Sequence, residues 1–256
     1  MPEQRFKCFC SYDGTAFKGW QSQLGGGTLQ DAIEDRLFKI FGKKIRVHAS
    51  GRTDAGVHAL EQVFHFDAEW RHPARSLMLA LKSGLPEGLV LSRVVKADGG
   101  FHARYSAVGK RYAYNIFEGD APAHLARYFW SVGDRRLDIE KMNEAASKLL
   151  GEHDFTAFSA NRGGGSKDNP VKTLYKLSVR RRGKKVRIET EGSGYMYKMV
   201  RLIAGALFDV GTGRLAPEEI GEILESKSRS NKFQAAPAKG LFLERVFYKR
   251  PSPRSK

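Results

Sequence analysis

The chain has 256 residues and is strongly basic, with 44 lysines and arginines against 28 acidic residues and a formal net charge of +16. This length is enough to bury a substantial core and suits one large domain or two small ones. The charge predicts a polyanionic partner, and RNA, DNA and an acidic membrane are the alternatives. No apolar run reaches transmembrane length and the polar first twenty residues do not resemble a signal peptide, so we expect a cytosolic location.

The two cysteines, Cys8 and Cys10, alternate along a predicted strand and lie too close in sequence for an easy disulfide. We expect two buried, reduced thiols, in keeping with a reducing compartment. A four-cysteine zinc site is excluded by the cysteine count, and no nearby pair of histidines has metal-ligand spacing. These residues therefore do not predict a zinc site.

The first hundred residues alternate between strand and helix patterns. Strands are predicted at 5–12, where Asp13-Gly14 stops the first of them, and at 44–50, 59–70 and 89–95, and helices at 29–41 and 73–85. The first helix has Thr28 as its N-cap, Asp31 at its third position and Gly42 at its end. The order strand, helix, strand, strand, helix, strand is that of a split βαβ, or ferredoxin-like, unit with an antiparallel sheet.

A second series of elements begins at residue 110. Strands are predicted at 110–117, 173–182, 184–192 and 240–248, and helices at 139–150, 195–211 and from Pro217. Asp138 is the predicted cap of the first of these helices, whose apolar face extends to Leu150, and Gly151 is its predicted end. The two middle strands form a predicted hairpin that turns near Gly183.

We therefore predict an α+β protein of two ferredoxin-like halves with antiparallel sheets, at residues 1–105 and 106–248. The net charge is uneven, with +4 before residue 106 and +12 from there onward. Residues 249–256 are too polar and proline-rich to fold alone, and they predict a basic, disordered tail.

The stretch ASGRTDAGVHA places Asp54 two residues after Arg52, in a segment too rich in glycine for a good helix or strand. Gly51 and Gly56 remove side-chain bulk and let a ligand approach the backbone. Arg52 would keep Asp54 ionised and fixed in direction, as a carboxylate nucleophile requires. An ion pair that only holds a turn fits equally well, so the residues leave both interpretations open. A phosphate loop is excluded, because the Gly-Lys-Ser/Thr ending is missing.

The segment GRTDAGVHA (51–59) resembles the signature of the tRNA pseudouridine synthase A (TruA) family. Six further stretches resemble family patterns, in the expected order: FKGWQSQ (17–23), FHARYSA (101–107), KRYAY (110–114), GEHDFTAF (151–158), YKMVRLIAGAL (197–207) and APAKGLFLERV (236–246). The resemblance runs from about Tyr12 to Val246. The chain differs from the usual family pattern at several positions that carry no catalytic group: Glu61, Lys82, Gly88, Tyr195 and Met196.

The resemblance implies isomerisation of uridine to pseudouridine, which needs neither metal nor redox cofactor. The N1–C1′ bond breaks, the uracil turns, and C5 joins C1′ and loses its proton. Asp54 is the implied catalytic aspartate, and attack on C1′, addition to the ring and assistance of a glycal route all remain open. Tyr112 is the implied active-site tyrosine, which stacks on uracil and takes the C5 proton directly or through water. Alternation places Tyr114 on the same face, so the pattern alone does not separate the two.

Arg201 matches the arginine of the family's helix motif. An arginine in an apolar helix is costly to bury without a partner, so a carboxylate is expected beside it. The resemblance implies that this carboxylate is Asp54, with the active site in a basic cleft between the halves.

Six cations cluster at the predicted hairpin tip: Arg180, Arg181, Arg182, Lys184, Lys185 and Arg187. Phosphate contacts there would offset the cost of extruding a base from a stem, and Arg181 and Lys185 are assigned to them. Arg52 and Tyr112 complete the predicted substrate-binding set. Three histidines lie in family motifs and are expected to pack or contact RNA rather than to bind a metal: His58, His102 and His153.

The resemblance also implies a substrate and an assembly. The family acts on uridines at positions 38 to 40 of the tRNA anticodon stem-loop and works as a homodimer in which one tRNA contacts both subunits. Two alternatives remain open from the sequence. One is a related synthase acting on another tRNA site or another RNA, and the other is a non-catalytic RNA-binding module that serves as a chaperone.

Overall fold

The computed structural model describes residues 3–160 and 169–249. Within these residues the chain is a mixed α+β fold of ten strands and five α-helices. The strands are β1 Gln4–Tyr12, β2 His48–Ala49, β3 His58–Ala68, β4 Leu89–Lys96, β5 Gly109–Phe117, β6 Trp130–Ser131, β7 Gly151–Asp154, β8 Val171–Arg182, β9 Lys185–Gly192 and β10 Leu241–Phe247. The helices are α1 Leu29–Phe41, α2 Ala74–Lys82, α3 Ile139–Ser147, α4 Met199–Gly211 and α5 Pro217–Ser226.

The chain divides into two compact units. Unit 1 comprises Met1–Val108 and Leu243–Lys256, and unit 2 comprises Gly109–Phe242. The sequence-based boundaries differ from this division, because they kept the last strand in the second half. Of the predicted tail at 249–256, all but Lys249 lies outside the described residues.

Long-range contacts join Phe247 and Tyr248 to the rest of unit 1. The backbone N–H of Val108 donates to the carbonyl of Phe247 at 2.8 Å, and the Tyr248 hydroxyl donates to the carbonyl of Ala103 at 2.8 Å. The ammonium of Lys7 on β1 lies 3.6 Å from the centre of the Tyr248 ring, a cation–π contact. Sequence periodicity carries no information about such partners, so the assignment of the last strand required the tertiary structure.

The sheet of unit 1 is antiparallel, with β1 between β4 and β3 and with β2 paired to β3. Helix α1 begins at the predicted capping box, in which Thr28 Oγ1 accepts from Asp31 N at 3.2 Å and Asp31 Oδ2 accepts from Thr28 N at 3.3 Å. It ends at Gly42, which has a left-handed φ of +67°. The largest buried rings of the unit pack against one another, three of them from β1 and β3: Phe6, Trp20, Phe64 and Phe66.

The predicted strand at 44–50 is only two residues long in the structure, His48–Ala49. The preceding backbone is engaged elsewhere, since Val47 donates its N–H to Glu34 Oε1 of α1 at 3.0 Å. Ile45 and Val47 are buried, which explains the apolar alternation that suggested a strand.

The two cysteines behave as predicted. Cys8 and Cys10 are free thiols, and both are buried in β1. Burial raises the pKa of each thiol above its usual value, so both are un-ionised packing groups at neutral pH.

In unit 2 the strand order is β5-β9-β8-β7, and these three pairs are antiparallel. The short strand β6 pairs with β5 in the parallel direction. The predicted hairpin is confirmed, with a left-handed φ of +60° at Gly183. Two hydrogen bonds of Asn143 join α3 to β8. Its Nδ2 donates to the Val179 carbonyl at 2.9 Å, and its Oδ1 accepts from Val179 N at 2.8 Å. Helix α4 is buried along almost its whole length.

Two helix boundaries differ from the predictions. Helix α4 begins at Met199 rather than residue 195, because Lys198 has a left-handed φ of +59° that interrupts a helix. Helix α3 ends at Ser147, so Leu150 is exposed instead of lying on the apolar face. Gly151, the predicted end of that helix, is the first residue of β7.

Candidate active site

Asp54 lies in the loop between β2 and β3, which we call the aspartate loop (residues 50–57). Asp54 is half-buried and Arg52 is exposed, whereas Thr53 between them is buried. The loop closes with a hydrogen bond of 3.1 Å from Val57 N to the Asp54 carbonyl, and Gly56 takes a left-handed φ of +78° inside that turn. The glycine is required by the turn geometry, which an L side chain would strain.

Thr53 anchors the loop to two other segments of unit 1. Its hydroxyl is hydrogen bonded to that of Tyr12, with 2.9 Å between the oxygens, and its carbonyl accepts from Trp20 N at 3.0 Å. Both neighbours are buried. The backbone on the N-terminal side of Asp54 is therefore fixed from the side chain and from the main chain at once.

A second anchor lies at the entry of the aspartate loop. Gln62 of β3 is fully buried, donates to the Gly51 carbonyl at 2.9 Å, and accepts from the Ser50 hydroxyl at 2.7 Å. Ser50 also donates its backbone N–H to the Val63 carbonyl at 2.7 Å. A buried glutamine that satisfies its polar atoms on a loop holds that loop in one conformation.

Two glycines let other backbone segments approach the loop. A Cβ atom at Gly14 would lie 2.1 Å from the Val57 carbonyl oxygen, and one at Gly19 would lie 2.8 Å from the Thr53 carbonyl oxygen. The N–H of Gly14 also donates to Nδ1 of the fully buried His58 at 3.1 Å. Of the two roles expected for His58, packing and RNA contact, its complete burial favours packing.

Both tyrosines of β5 are buried, Tyr112 with 7% of its surface exposed, and they differ in their contacts. Tyr114 is fully buried and donates its hydroxyl to the Pro237 carbonyl at 2.7 Å, and burial raises its pKa. Tyr112 is paired edge-on with Tyr195 at 5.0 Å between ring centres. Tyr195 in turn contacts Thr190 through its hydroxyl at 2.9 Å. Tyr114 is therefore a structural residue, and Tyr112 belongs to a separate ring pair.

Arg201 lies on the first turn of α4 and contacts the segment that precedes β10. Its Nε donates to the Ala236 carbonyl at 2.7 Å, while Ala236 N donates back to the Arg201 carbonyl at 2.9 Å. The charge of Arg201 opposes the rise that burial causes in the pKa of Tyr114. A Cβ atom at Gly205, one turn further along α4, would lie 1.9 Å from the Gln234 carbonyl oxygen. The predicted arginine is thus held by a backbone segment that the sequence did not indicate.

The residue before α4 is strained. Lys198 has φ +59° and ψ +6°, a left-handed conformation that costs a residue with a side chain on the order of 1–2 kcal/mol. Its ammonium lies 5.3 Å from the Tyr197 ring centre. Such outliers concentrate at functional sites, and this one lies in the motif that carries Arg201.

The two hairpin cations assigned to phosphate have different surroundings. Arg181 donates to Glu118 Oε1 at 2.7 Å and to the Leu137 carbonyl, and its Glu118 partner is only 6% exposed. Lys185 is exposed at the hairpin end, with its ammonium 5.6 Å from the Phe129 ring centre. Arg181 thus has an intramolecular partner, whereas Lys185 lies at the solvent-facing tip.

Residues 3–160 and 169–249 contain no cluster of three or more histidine, cysteine or acidic side chains arranged to hold a metal ion. In that part of the chain, the helices are also too short or too polar to cross a lipid bilayer.

Known proteins resemble this chain over nearly its whole length. A family model described as tRNA pseudouridine synthase matches residues 9–106 and 145–249. The tRNA pseudouridine synthase A of Acetivibrio thermocellus is 40% identical over 94% of this chain and 98% of that protein, and that of Bacillus subtilis is 40% identical over 95% and 99%. A chain in a crystal structure of a Cbf5-Nop10-Gar1 complex aligns with 93% of this chain and 48% of its own length, but its 12% identity and TM-score of 0.39 are too low to support a conclusion. From the family model and the 40% identities, the chain belongs to the TruA family of tRNA pseudouridine synthases.

Proposed function

We propose that this enzyme converts uridine to pseudouridine at positions 38 to 40 of the tRNA anticodon stem-loop, with Asp54 as its catalytic carboxylate. Membership of the family supports the reaction and the tRNA substrate. We further propose that it acts as a homodimer in the cytoplasm. The order β4-β1-β3 with β2 on β3 also supports a ferredoxin-like layout for unit 1.

The observation that carries the assignment of Asp54 is the fixation of its loop. The carboxylate is half-exposed, but the backbone beside it is held by Tyr12, Trp20 and Gln62. Such fixation suits a reacting carboxylate, because small displacements of a catalytic group cost large factors in rate.

The proposed reaction is an isomerisation in which atoms balance without a co-reactant. The N1–C1′ bond breaks, the C5–C1′ bond forms, the proton on C5 is removed, and N1 takes up a proton. Asp54 would attack C1′, add to the ring or assist a glycal route. Arg52, two residues before it, would favour its ionised form.

Tyr112 and Arg201 are proposed to act in the same reaction. Tyr112 would stack on uracil and accept the C5 proton directly or through water. Arg201 would supply a second positive charge for the Asp54 carboxylate. For binding, Lys185, Arg181 and the other cations of the β8–β9 hairpin are proposed phosphate contacts.

The reaction can be measured with tRNA that carries tritium at C5 of uridine, because pseudouridine formation releases that tritium to water. We expect Asp54→Asn and Asp54→Ala to abolish release while tRNA affinity stays within a few-fold, since phosphate contacts dominate binding. Asp35→Asn, which changes an exposed aspartate of α1, is the matched control and should keep parental activity. Turnover by Asp54→Ala would overturn the assignment.

Variants of the other two residues test the rest of the site. Tyr112→Phe should lose most activity, whereas Tyr114→Phe should lose stability but keep turnover, because the Tyr114 hydroxyl is bound to the Pro237 carbonyl. Arg201→Met should fold and lose most activity. Parental turnover in Arg201→Met would remove it from the proposed set.

The position of the substrate uridine needs a separate experiment. Transcripts in which uridines 38, 39 and 40 are replaced singly by cytidine should each lose the corresponding pseudouridine and no other. Modification that persists elsewhere would favour a synthase for another site, and binding without any modification would favour a non-catalytic RNA-binding module.

A further inference from the structure

The turn at residues 102–106 of unit 1 is unusually well fixed for an exposed segment. His102 N donates to the Ser106 hydroxyl and Ser106 N donates back to the His102 carbonyl, both at 2.9 Å. Arg104 N and Tyr105 N both donate to Nδ1 of His102, at 3.1 and 3.3 Å. Four backbone N–H groups of this turn therefore have acceptors inside the turn itself, which limits its motion.

Ala103, the remaining residue of the turn, anchors it to the core of unit 1. Its N–H donates to Nδ1 of His65 on β3 at 3.1 Å, and its carbonyl accepts the Tyr248 hydroxyl at 2.8 Å. Ala103 and His65 are buried. The turn is thus joined to β3, the strand that follows the aspartate loop, and to Tyr248, which follows β10.

Tyr105 presents its ring to solvent from this fixed turn, since the residue is 77% exposed. Its ring centre lies 4.3 Å from that of His102, with 33° between the planes. The His102 ring contacts His65 at 4.6 Å, and His65 stacks on His48 at 5.1 Å. Tyr105 is therefore the outer member of a series of rings that runs through His102 to the buried His65, whereas His48, the other ring on His65, is exposed.

The neighbouring charge indicates the kind of ligand that fits. Arg104 is exposed, and its guanidinium carbon lies 5.9 Å from the Tyr105 ring centre. An exposed ring beside a cation suits a flat aromatic group that carries a negative charge, and a nucleotide combines both features. The chain's net charge of +16 favours a nucleic acid over an acidic small molecule.

We propose that Tyr105 is a stacking platform for an unpaired nucleobase of the bound tRNA, with Arg104 positioned for the adjacent phosphate. This inference rests on the proposed function only for the identity of the RNA. The fixed turn supports it energetically, because an aromatic side chain that is already ordered loses little freedom on binding. Single-stranded nucleotides bind proteins through such rings without needing a particular base.

The test is the dissociation constant of the full-length protein for an unmodified tRNA transcript, measured at several salt concentrations. Tyr105→Ala should bind about tenfold more weakly with an unchanged salt slope, since stacking releases no counterions. Tyr105→Phe and Tyr105→Trp should bind within about threefold of the parent. Arg104→Ala should bind more weakly and lower the slope by about 0.7 to 0.9. Tyr175→Ala, an exposed tyrosine of β8, is the matched control and should behave as the parent.

Three results would overturn the platform. These are parental affinity in Tyr105→Ala, equal weakening in Tyr105→Phe and Tyr105→Ala, and a change of oligomeric mass in Tyr105→Ala, which would assign the ring to a protein interface. Chemical probing of the tRNA should show one unpaired nucleotide that the parent protects and Tyr105→Ala does not.

The experiments distinguish failure of the stacking platform from failure of the proposed function. If the parent releases tritium but Tyr105→Ala binds tRNA normally, the platform is wrong and the function stands. If the parent binds tRNA in a Tyr105-dependent way without forming pseudouridine, the function is wrong and the platform stands.

Discussion

The hydroxyl oxygen of Tyr12 lies 2.9 Å from Oγ1 of Thr53, so a buried hydrogen bond joins the end of β1 to the residue before Asp54. The Tyr12 hydroxyl also lies 3.4 Å from Nε2 of Gln62, the second anchor of the aspartate loop. One phenol oxygen therefore contacts both groups that fix the loop.

This contact predicts a catalytic effect from a residue that does not itself react. Tyr12→Phe should lower the free energy of unfolding by about 1–2 kcal/mol and lower kcat roughly tenfold or more, with KM little changed. Urea unfolding and tritium release measure the two effects. Tyr175→Phe changes an exposed tyrosine and should alter neither. A parental kcat in Tyr12→Phe would show that loop position does not limit the reaction.

The close approach of Gly19 to the aspartate loop predicts a position-specific penalty. Gly19 has φ +86° and Gly25 has φ +91°, so alanine is strained at both, by on the order of 1–2 kcal/mol. Only at Gly19 would the new Cβ meet the Thr53 carbonyl, whereas Gly25 faces open space. Gly19→Ala should therefore lose more stability and most of its kcat, while Gly25→Ala keeps turnover. Similar losses in both variants would contradict this.

Substitution of the two hairpin cations, Arg181 and Lys185, should have different effects on fold stability and on tRNA binding. Arg181→Ala should destabilise the fold by about 1–3 kcal/mol, because the buried Glu118 loses a hydrogen bond of 2.7 Å. Lys185→Ala should leave stability unchanged and reduce the salt slope of tRNA binding by about 0.7 to 0.9. If Arg181 also contacts phosphate, as proposed, Arg181→Ala should show the lower slope in addition. An unchanged slope in Lys185→Ala would remove Lys185 from the binding surface.

The buried His65 predicts a loss of stability in mild acid. Burial, His102, Arg5 and His48 lower its pKa from 6.5 to about 4, while Asp67 opposes them. Because the unfolded chain binds the proton more readily, the stabilisation is complete above pH 6.5. It falls as the pH drops from 6.5 to about 4, by at most about 3 kcal/mol.

Comparison with His65→Asn isolates this effect from the titration of carboxylates. Asparagine retains an acceptor for Ala103 N but does not titrate. Urea unfolding at pH 7, 5.5 and 4.5 should therefore show a smaller pH dependence in the variant than in the parent. Equal pH dependence in the two proteins would mean that His65 does not change protonation in this range.

The sequence by itself determined the features that depend on neighbouring residues. The capping box of Thr28 and Asp31, the hairpin turn at Gly183 and the burial of Cys8 and Cys10 were all predicted correctly, because each depends on a few adjacent residues or on strand alternation. The family was also identified from its motifs, since those residues are contiguous in the chain.

Only the tertiary structure decided which distant residues contact one another. Tyr12 and Thr53 are 41 positions apart and Arg201 and Ala236 are 35 apart, and no local pattern specifies such pairs. The different environments of Tyr112 and Tyr114 were equally hidden, because strand alternation gives both the same face. The periodicity of apolar residues indicates which face of a helix or strand is buried. Which residues pack against that face depends on how segments distant in sequence come together.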